Sequence, residues 1–286
     1  MQQHSFVKFV DNVDLVYLSV PKVASSSISH AMLMQSKFST SEIGEHSELG
    51  KALTNRRPID LRYPKLPVFT FVRHPVDKFV SYFNNKFIQA RKSGFELIHL
   101  KQLGFDPFMS IDEVVEHMIT IPVEDMEHHG QPQFRILCNS GVLIPDFVGK
   151  VETIQLEWPI ISNLSGCSLQ IQRQRNSSSV KTNKSPIIST HSLINLCAYY
   201  ETDFELFNYE RPISVAPSSP IPKAKDELDR KSIINIQIQI AQRKNQLITI
   251  ANSLTDQPYS ENYRKSMKQN WNDFIIKEYR DRLAST

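Results

Sequence analysis

A short segment with one lysine and three successive serines is the first candidate for chemistry in this chain. Residues 17–27 read YLSVPKVASSS, so an apolar run precedes Lys22 and a ladder of hydroxyl groups follows it. Ammonium and hydroxyl groups beside the first turn of a helix suit a phosphate or a sulfate. The segment has no glycine, which disfavours the GxxxxGK[ST] loop of ATPases and GTPases. Taken alone, it is also typical of a serine-capped helix with an exposed lysine.

A second segment offers another pair of groups for an anion. Residues 71–83 read FVRHPVDKFVSYF, with Arg73 just after an apolar run and Ser81 eight positions later. This separation corresponds to about two helical turns if a helix begins near Val76. A guanidinium group binds phosphate in a two-pronged fork. The two segments together indicate a ligand with two separated phosphate-type groups.

Both segments follow a predicted strand and open a predicted helix. Residues 15–20 are a short run of β-prone residues, and Ile28 and Met32 after the serines have helical spacing. Residues 66–72 form a second apolar run, and the segment after it places four aromatic residues on one helical face: Phe79, Tyr82, Phe83 and Phe87. Two strand-loop-helix units predict a parallel sheet with covering helices.

The remainder of the chain adds further helices, β-rich segments and one predicted boundary. Residues 110–120 and 192–210 are predicted helices, and residues 142–154 are β-rich. The Pro- and Ser-rich residues 211–222 predict a linker between a domain of residues 1–210 and a helical extension of residues 223–286. Within that extension, INIQIQI alternates as a strand would, but its flanking residues favour a helix, which is our interpretation.

Composition restricts the classes of protein that this chain can represent. Its 286 residues include 33 Lys and Arg against 30 Asp and Glu, which is too small an excess to predict a nucleic-acid-binding surface. The sequence shows neither a signal peptide nor an apolar run of about 18 residues, so we expect no membrane span. Three widely separated cysteines, Cys138, Cys167 and Cys197, predict a reduced compartment and a cytoplasmic location. Since CxxC and HxxxH patterns are absent, the sequence predicts no metal site.

Five ordered segments resemble the Golgi-type carbohydrate sulfotransferases. VPKVASSS is similar to the 5′-phosphosulfate loop of that family, and FVRHPVDKFVSYF to its 3′-phosphate motif. Three later segments resemble further motifs of the family: EHHGQPQFRILC, PDFVGKVETI and YYETDFELFNY. The resemblance extends roughly over residues 15–210, and an ordered set of motifs is more specific than any one of them.

The resemblance implies a fold, a reaction and a donor site. It implies a P-loop NTPase-like three-layer α/β sandwich with a central, mainly parallel sheet, to which the helical C-terminal appendage is added. It also implies transfer of a sulfuryl group from 3′-phosphoadenosine 5′-phosphosulfate to a carbohydrate hydroxyl, on a polysaccharide or glycolipid, with no metal required. The implied donor-binding residues are Lys22, Val23, Ala24, Ser25, Ser26, Ser27, Arg73 and Ser81. The polar, basic residues 173–185 are either a solvated loop or a lid over the nucleotide, in which Arg173, Arg175 or Lys181 would approach the phosphates. Lys78 stands where the family usually has a second arginine.

The general base is less clear from the sequence. His46 lies roughly where uronyl 2-O-sulfotransferases carry a catalytic histidine, and His128 matches the histidine of the family's H-W pair, with His129 at the Trp position. A neutral imidazole can accept a proton near pH 7. Three glutamates could orient it or act in its place: Glu45, Glu48 and Glu127. The predicted catalytic residues are therefore Lys22 and either His46 or His128.

Two other functions fit the same residues. A sugar or nucleoside kinase could use both anion sites, but it would need an acidic magnesium ligand after a strand, for which the sequence offers no clear candidate. A non-catalytic nucleotide- or glycan-binding protein could also retain the two segments. The helices of residues 223–286 could mediate a dimer, although a packing role is the simpler interpretation.

Overall fold

A four-stranded sheet lies at the centre of the part of the chain that the structure describes. The computed structural model describes residues 7–9, 13–34, 66–93, 98–171 and 186–254, with a few positions between 265 and 277. The sheet contains β1 (Val7–Phe9), β2 (Val16–Leu18), β3 (Val68–Val72) and, after the two-stranded hairpin of β4 (Cys138–Asn139) and β5 (Val142–Leu143), β6 (Phe147–Lys150). The strand order is β1-β2-β3-β6.

The sheet is mainly parallel. β2 runs parallel to β3 with Tyr17 opposite Phe69, and β3 runs parallel to β6 with Phe71 opposite Gly149. The edge strand β1 pairs antiparallel with β2. The carboxyl ends of β2 and β3 therefore lie side by side, as the two strand-loop-helix units predict.

The central strand β3 is buried along its whole length. All five of its residues are buried, and because successive side chains point to opposite faces, both faces of the strand must be covered. Aromatic packing continues to the neighbouring strands, with the rings of Tyr17 and Phe69 stacked at 5.1 Å. Thr70 satisfies its hydroxyl by donating to the carbonyl oxygen of Leu18 at 2.7 Å. An aromatic and β-branched composition suits such a strand.

Helices of very different lengths surround the sheet. In chain order they are α1 (Ser25–Leu33), α2 (Pro75–Phe83), α3 (Gln89–Ser93), α4 (Ile98–Gln102), α5 (Ile111–Met118), α6 (Phe134–Leu137), α7 (Ile154–Leu164), α8 (Thr190–Tyr199), α9 (Glu201–Leu206) and α10 (Arg230–Ser253). The helix predicted to begin near Val76 contains a π-helical turn, Asn84–Ile88, between α2 and α3. The predicted helix of residues 192–210 is two helices, α8 and α9, which meet at Tyr200.

The long helix α10 confirms the helical interpretation of INIQIQI. It packs against β6 and α7. Arg243 of this helix forms a buried ion pair with Asp146, at 3.2 Å between Nη1 and Oδ1. Asp146 also accepts a hydrogen bond from the backbone N–H of Val68 at 2.9 Å. Tertiary contacts therefore override the period-two pattern of the segment. The boundary at residues 211–222 stays a prediction.

Candidate functional site

The loop between β2 and α1 adopts an unusual backbone conformation. Lys22 and Ala24 have positive φ angles of 65° and 49°, in the left-handed region where glycine is commonest. We call residues 21–24 the cation loop. Ala24 is the N-cap of α1, and no side chain of the described chain caps that helix. The first N–H groups of α1 are therefore available to an anion.

The ammonium group of Lys22 is partly shielded from solvent. Its Nζ donates a hydrogen bond to Asn85 Oδ1 at 2.5 Å. Burial, together with the positive charge of Lys86, lowers the pKa of Lys22 to about 8, although Glu127 acts in the opposite direction. Lys22 is thus mostly protonated at neutral pH, and an anionic ligand would stabilise its charged form.

Arg73 is fixed at the end of β3 by a buried network. Its backbone N–H donates to Gln133 Oε1 at 3.0 Å, and its carbonyl accepts from Gln133 Nε2 at 2.9 Å. Asp203 in turn accepts from the backbone N–H groups of Gln133 and Phe134, at 2.7 and 2.9 Å. The Arg73 guanidinium reaches the cation loop, with Nη1 3.3 Å from the carbonyl oxygen of Lys22. The structure thereby brings together the two predicted anion-binding segments.

Lys78 supports a neighbouring loop from the interior of the fold. It is fully buried, and its Nζ donates to the carbonyl oxygens of His129 and Gln131 at 2.9 and 2.8 Å. Burial lowers the pKa of Lys78 to about 8, against the attraction of Asp203. The lysine that replaces the family's second arginine therefore holds the loop of residues 129–131.

A cluster of one carboxylate and two imidazoles lies beside Lys78. It consists of Glu127, His128 and His129, and we call it the acid–imidazole cluster. Glu127 is buried, and its Oε1 contacts His129 Nδ1 closely and His128 Nδ1 at 3.3 Å. Lys86 Nζ lies 3.6 Å from the same oxygen. Burial alone would raise the pKa of Glu127, but the hydrogen bond from His129 and the neighbouring positive charges lower it to about 2. Glu127 is therefore ionised at neutral pH.

Comparison with known proteins decides the family. A sequence model described as the sulfotransferase family matches residues 5–210. The chain belongs to the sulfotransferase family. The mixed α/β architecture with a mainly parallel sheet is consistent with that family. No solved structure gives a significant match to the chain.

Curated relatives share part of their length with this family member. Human carbohydrate sulfotransferase 14 is 28% identical over 170 residues, which is 52% of this chain and 45% of the relative. Carbohydrate sulfotransferase 11 of rat, like that of mouse, is 26% identical over 231 residues, which is 70% of this chain and 65% of the relative. The chain thus spans less than two thirds of the length of these relatives.

These relatives correct the predicted location. Carbohydrate sulfotransferases of this kind are Golgi-resident enzymes, so the cytoplasmic location inferred from the cysteines and the N-terminal sequence is wrong. Widely spaced cysteines indicate a reduced compartment only weakly, because an exported protein can also carry free thiols. Among the described helices, none has the length and apolar character needed to cross a bilayer.

The other predicted site residues of this sulfotransferase family member divide into three groups. Ser25, Ser26 and Ser27 form the first turn of α1, and Ser81 lies in α2, two turns after Arg73. The Val23 side chain is fully buried in the core, so this residue can offer only its backbone to a ligand. His46 and Arg175 lie outside the described residues.

Sequence patterns do not indicate two residues of the candidate site, Asn85 and Lys86. Both belong to the π-helical turn after α2, where Asn85 contacts Lys22 and Lys86 contacts Glu127. A π-helical turn shifts the faces of the following residues relative to an α-helix. Ordinary helical spacing therefore does not reveal which side chains reach the site.

The acid–imidazole cluster is also a group of possible metal ligands. Among the described residues, Glu127, His128 and His129 offer ligand atoms within 4.8 Å of one another. The ammonium group of Lys86 already lies beside the carboxylate, and a like charge there opposes the binding of a cation. A reaction without a metal therefore stays our prediction.

Proposed function

We propose that this chain transfers a sulfuryl group from 3′-phosphoadenosine 5′-phosphosulfate to a hydroxyl group of a carbohydrate. The observation that carries the proposal is the approach of two cationic residues at adjacent ends of parallel strands, where Arg73 Nη1 lies 3.3 Å from the Lys22 carbonyl oxygen. Ligands of open α/β sheets bind at the carboxyl ends of the strands. Membership of the sulfotransferase family over residues 5–210 supports the same reaction.

The fold proposed for this function is a P-loop-like three-layer sandwich. The parallel strands β2, β3 and β6 and the helices that follow each of them support this arrangement. The cation loop would serve as the phosphate-binding loop, and the positive φ angles of Lys22 and Ala24 support this role, because they provide the turn for which other such loops use glycine.

Each end of the donor has proposed partners in this site. The 5′-phosphosulfate would be held by the backbone N–H groups and hydroxyls at the start of α1, from Ser25, Ser26 and Ser27. The backbone of Val23 and Ala24 would contribute further contacts. Arg73 and Ser81 would hold the 3′-phosphate, and Arg175 is a further predicted contact. The backbone network of Gln133 and Asp203 supports this assignment, because it fixes the strand end from which the guanidinium extends.

The chemical step requires positioning and charge stabilisation. The acceptor oxygen attacks sulfur, the bond from sulfur to the bridging oxygen breaks, and 3′-phosphoadenosine 5′-phosphate leaves with the electron pair. By analogy with phosphoryl transfer, the transition state is loose and negative charge grows on the leaving phosphate. The Lys22 ammonium group would neutralise that charge. The proton of the acceptor hydroxyl must pass to a base.

The acceptor class follows from the relatives. The relatives reported above are named carbohydrate sulfotransferases, and we extend this acceptor class to the present chain. A polysaccharide or a glycolipid is the proposed form of the acceptor.

Two measurements test the proposed function. Calorimetric titration with 3′-phosphoadenosine 5′-phosphate and with ATP should show binding of the bisphosphate and little binding of ATP. Transfer of radiolabelled sulfate to a panel of glycans should then identify an acceptor. Tight binding of ATP alone would support a kinase, and binding of the bisphosphate without transfer to any glycan would support a non-catalytic binding protein.

A further inference from the structure

His129 is held by contacts from both its main chain and its ring. Its Nδ1 contacts Glu127 Oε1 closely, and its backbone N–H donates to Glu127 Oε2 at 3.2 Å. Its carbonyl oxygen accepts from Lys78 Nζ at 2.9 Å. The same carboxylate thus fixes both the main chain and the ring. Such double anchoring is typical of a side chain whose orientation matters for chemistry.

The contact with Glu127 also determines the tautomer of His129. An ionised carboxylate can only accept hydrogen bonds, so the Nδ1 atom must carry the proton in the neutral ring. The Nε2 atom then presents a lone pair. Because an imidazole with a carboxylate on Nδ1 and a free lone pair on Nε2 can take a proton from a hydroxyl group, it is suited to general-base catalysis.

His128 has a weaker hold on the same carboxylate. Its Nδ1 lies 3.3 Å from Glu127 Oε1, and 49% of its side chain is exposed, against 24% for His129. The two rings lie 4.1 Å apart. Since both imidazoles share one carboxylate oxygen, the nearer and less exposed ring is the one that Glu127 orients.

The acid–imidazole cluster adjoins the cation loop through two consecutive residues. Asn85 Oδ1 accepts from Lys22 Nζ at 2.5 Å, and Lys86 Nζ lies 3.6 Å from Glu127 Oε1. The π-helical turn Asn84–Ile88 thus connects the proposed donor site to His129. An acceptor bound beside the cation loop would therefore lie next to the cluster.

We propose that His129 is the general base of the transfer reaction and that Glu127 positions it. The Nε2 atom takes the proton of the acceptor hydroxyl as the acceptor oxygen bonds to sulfur, and the ring becomes an imidazolium stabilised by Glu127. The proton later returns to solvent. This inference rests on the proposed function and adds the residue that receives the proton. His129 stands at the position where the family's H-W motif has tryptophan.

The charged groups around His129 act on its protonation in opposite directions. Burial lowers the pKa of His129 to about 4, more than the hydrogen bond and negative charge of Glu127 raise it, and the charges of Lys86 and His128 act with burial. The ring is therefore neutral at neutral pH, which is the form that accepts a proton. Removal of the Glu127 charge would lower the pKa of His129 further.

The test begins with the wild-type protein and then compares substitutions. Detectable binding of 3′-phosphoadenosine 5′-phosphate and transfer to a glycan establish the proposed function independently. Against that reference, His129→Ala should lower kcat by about 100- to 1000-fold while the Kd for the bisphosphate stays within a factor of about three. Imidazole added to the His129→Ala protein should restore part of the rate, and His191→Ala on the exposed start of α8 should match the wild type.

Two further variants keep the test valid if alanine disturbs the loop. His129→Gln preserves the volume of the side chain and should lose a similar factor in kcat. Glu127→Gln should lose about 10- to 100-fold, and the acid limb of its kcat/KM profile should move to lower pH, because a lost negative charge lowers the pKa of His129.

Two results would overturn the assignment while leaving the proposed function intact. One is wild-type turnover in both His129→Ala and His129→Gln. The other is a larger loss of kcat in His128→Ala than in His129→Ala, with imidazole rescue confined to the His128 variant. An absence of bisphosphate binding and of transfer in the wild type would instead overturn the proposed function.

Discussion

The cation loop and the acid–imidazole cluster are adjacent regions built in different ways. The cation loop depends on regular elements, because it leaves β2 and enters α1 within a few residues. The cluster depends on side chains from distant segments, since Lys78 and Lys86 of the α2 region hold residues 127–131. Local sequence can therefore specify the conformation of a loop, whereas contacts across the fold position the cluster that contains the proposed base.

Each region is supported by one lysine that is partly or fully buried, and the pKa values of these two lysines can be compared. Burial lowers the pKa of both Lys22 and Lys78 to about 8. Lys22 has a side-chain amide as its partner, and Lys78 donates to two backbone carbonyls. A similar lowering of the pKa therefore accompanies two different environments, one at the proposed donor site and one in the support of the cluster.

Loss of the Lys22 ammonium group should have the greatest effect on the rate of sulfuryl transfer. Lys22→Ala should lower kcat by about 1000-fold, because the leaving phosphate loses its cation in a partly desolvated site. Radiolabelled sulfate transfer measures this loss, and Lys231→Ala on the exposed start of α10 provides the control. Undiminished turnover of Lys22→Ala would show that the cation loop takes no part in the chemistry.

Arg73→Ala should act mainly on donor binding. Removal of a forked guanidinium contact with the 3′-phosphate should weaken binding of 3′-phosphoadenosine 5′-phosphate by about 100-fold, with a smaller change in kcat. Calorimetry with the bisphosphate and with adenosine 5′-phosphate, which lacks the 3′ group, measures this difference. An equal loss of affinity for both ligands would contradict a specific 3′-phosphate contact.

Lys78→Met should disturb the position of the acid–imidazole cluster and leave the cation loop unchanged. The carbonyl oxygens of His129 and Gln131 would lose a buried donor, so we expect a loss of about 2–3 kcal/mol in the free energy of unfolding and a fall of about 30-fold in kcat. Denaturant unfolding and transfer assays measure these quantities. If the bisphosphate affinity fell as far as in Arg73→Ala, Lys78 would belong to the donor site.

The smallest expected effect concerns pH. The charged form of Lys22 binds the anion, and its pKa in the free protein is lowered to about 8, so the bisphosphate affinity should fall as the pH rises above 8. The change should be about tenfold between pH 7 and pH 9. Calorimetry at both values tests this, and Lys22→Arg should remove the dependence because arginine stays protonated. Persistence of the change in Lys22→Arg would assign it to another group.

Much of the fold could be predicted because its signals are local. The buried run of β3 and the aromatic face of α2 follow from hydrophobic patterns. The break at Tyr200 between α8 and α9 could not, since the buried Tyr200 hydroxyl donates to the Gly130 carbonyl oxygen at 2.7 Å. That partner lies seventy residues away in the sequence.

Local sequence patterns alone were sufficient to predict two anion-binding segments and to indicate the family, which is confirmed. Lys22 and Arg73 each stand beside a strand and a helix, so their chemistry can be inferred from neighbouring residues. Contacts in the folded protein, by contrast, show that Lys78 holds the loop of residues 129–131 and that Asn85 and Lys86 reach the candidate site. They also show that the Glu127 carboxylate lies closer to the His129 ring than to the His128 ring. These contacts depend on distances between segments that are remote in the sequence, and the burial and neighbouring charges that shift the pKa values arise only when the chain folds.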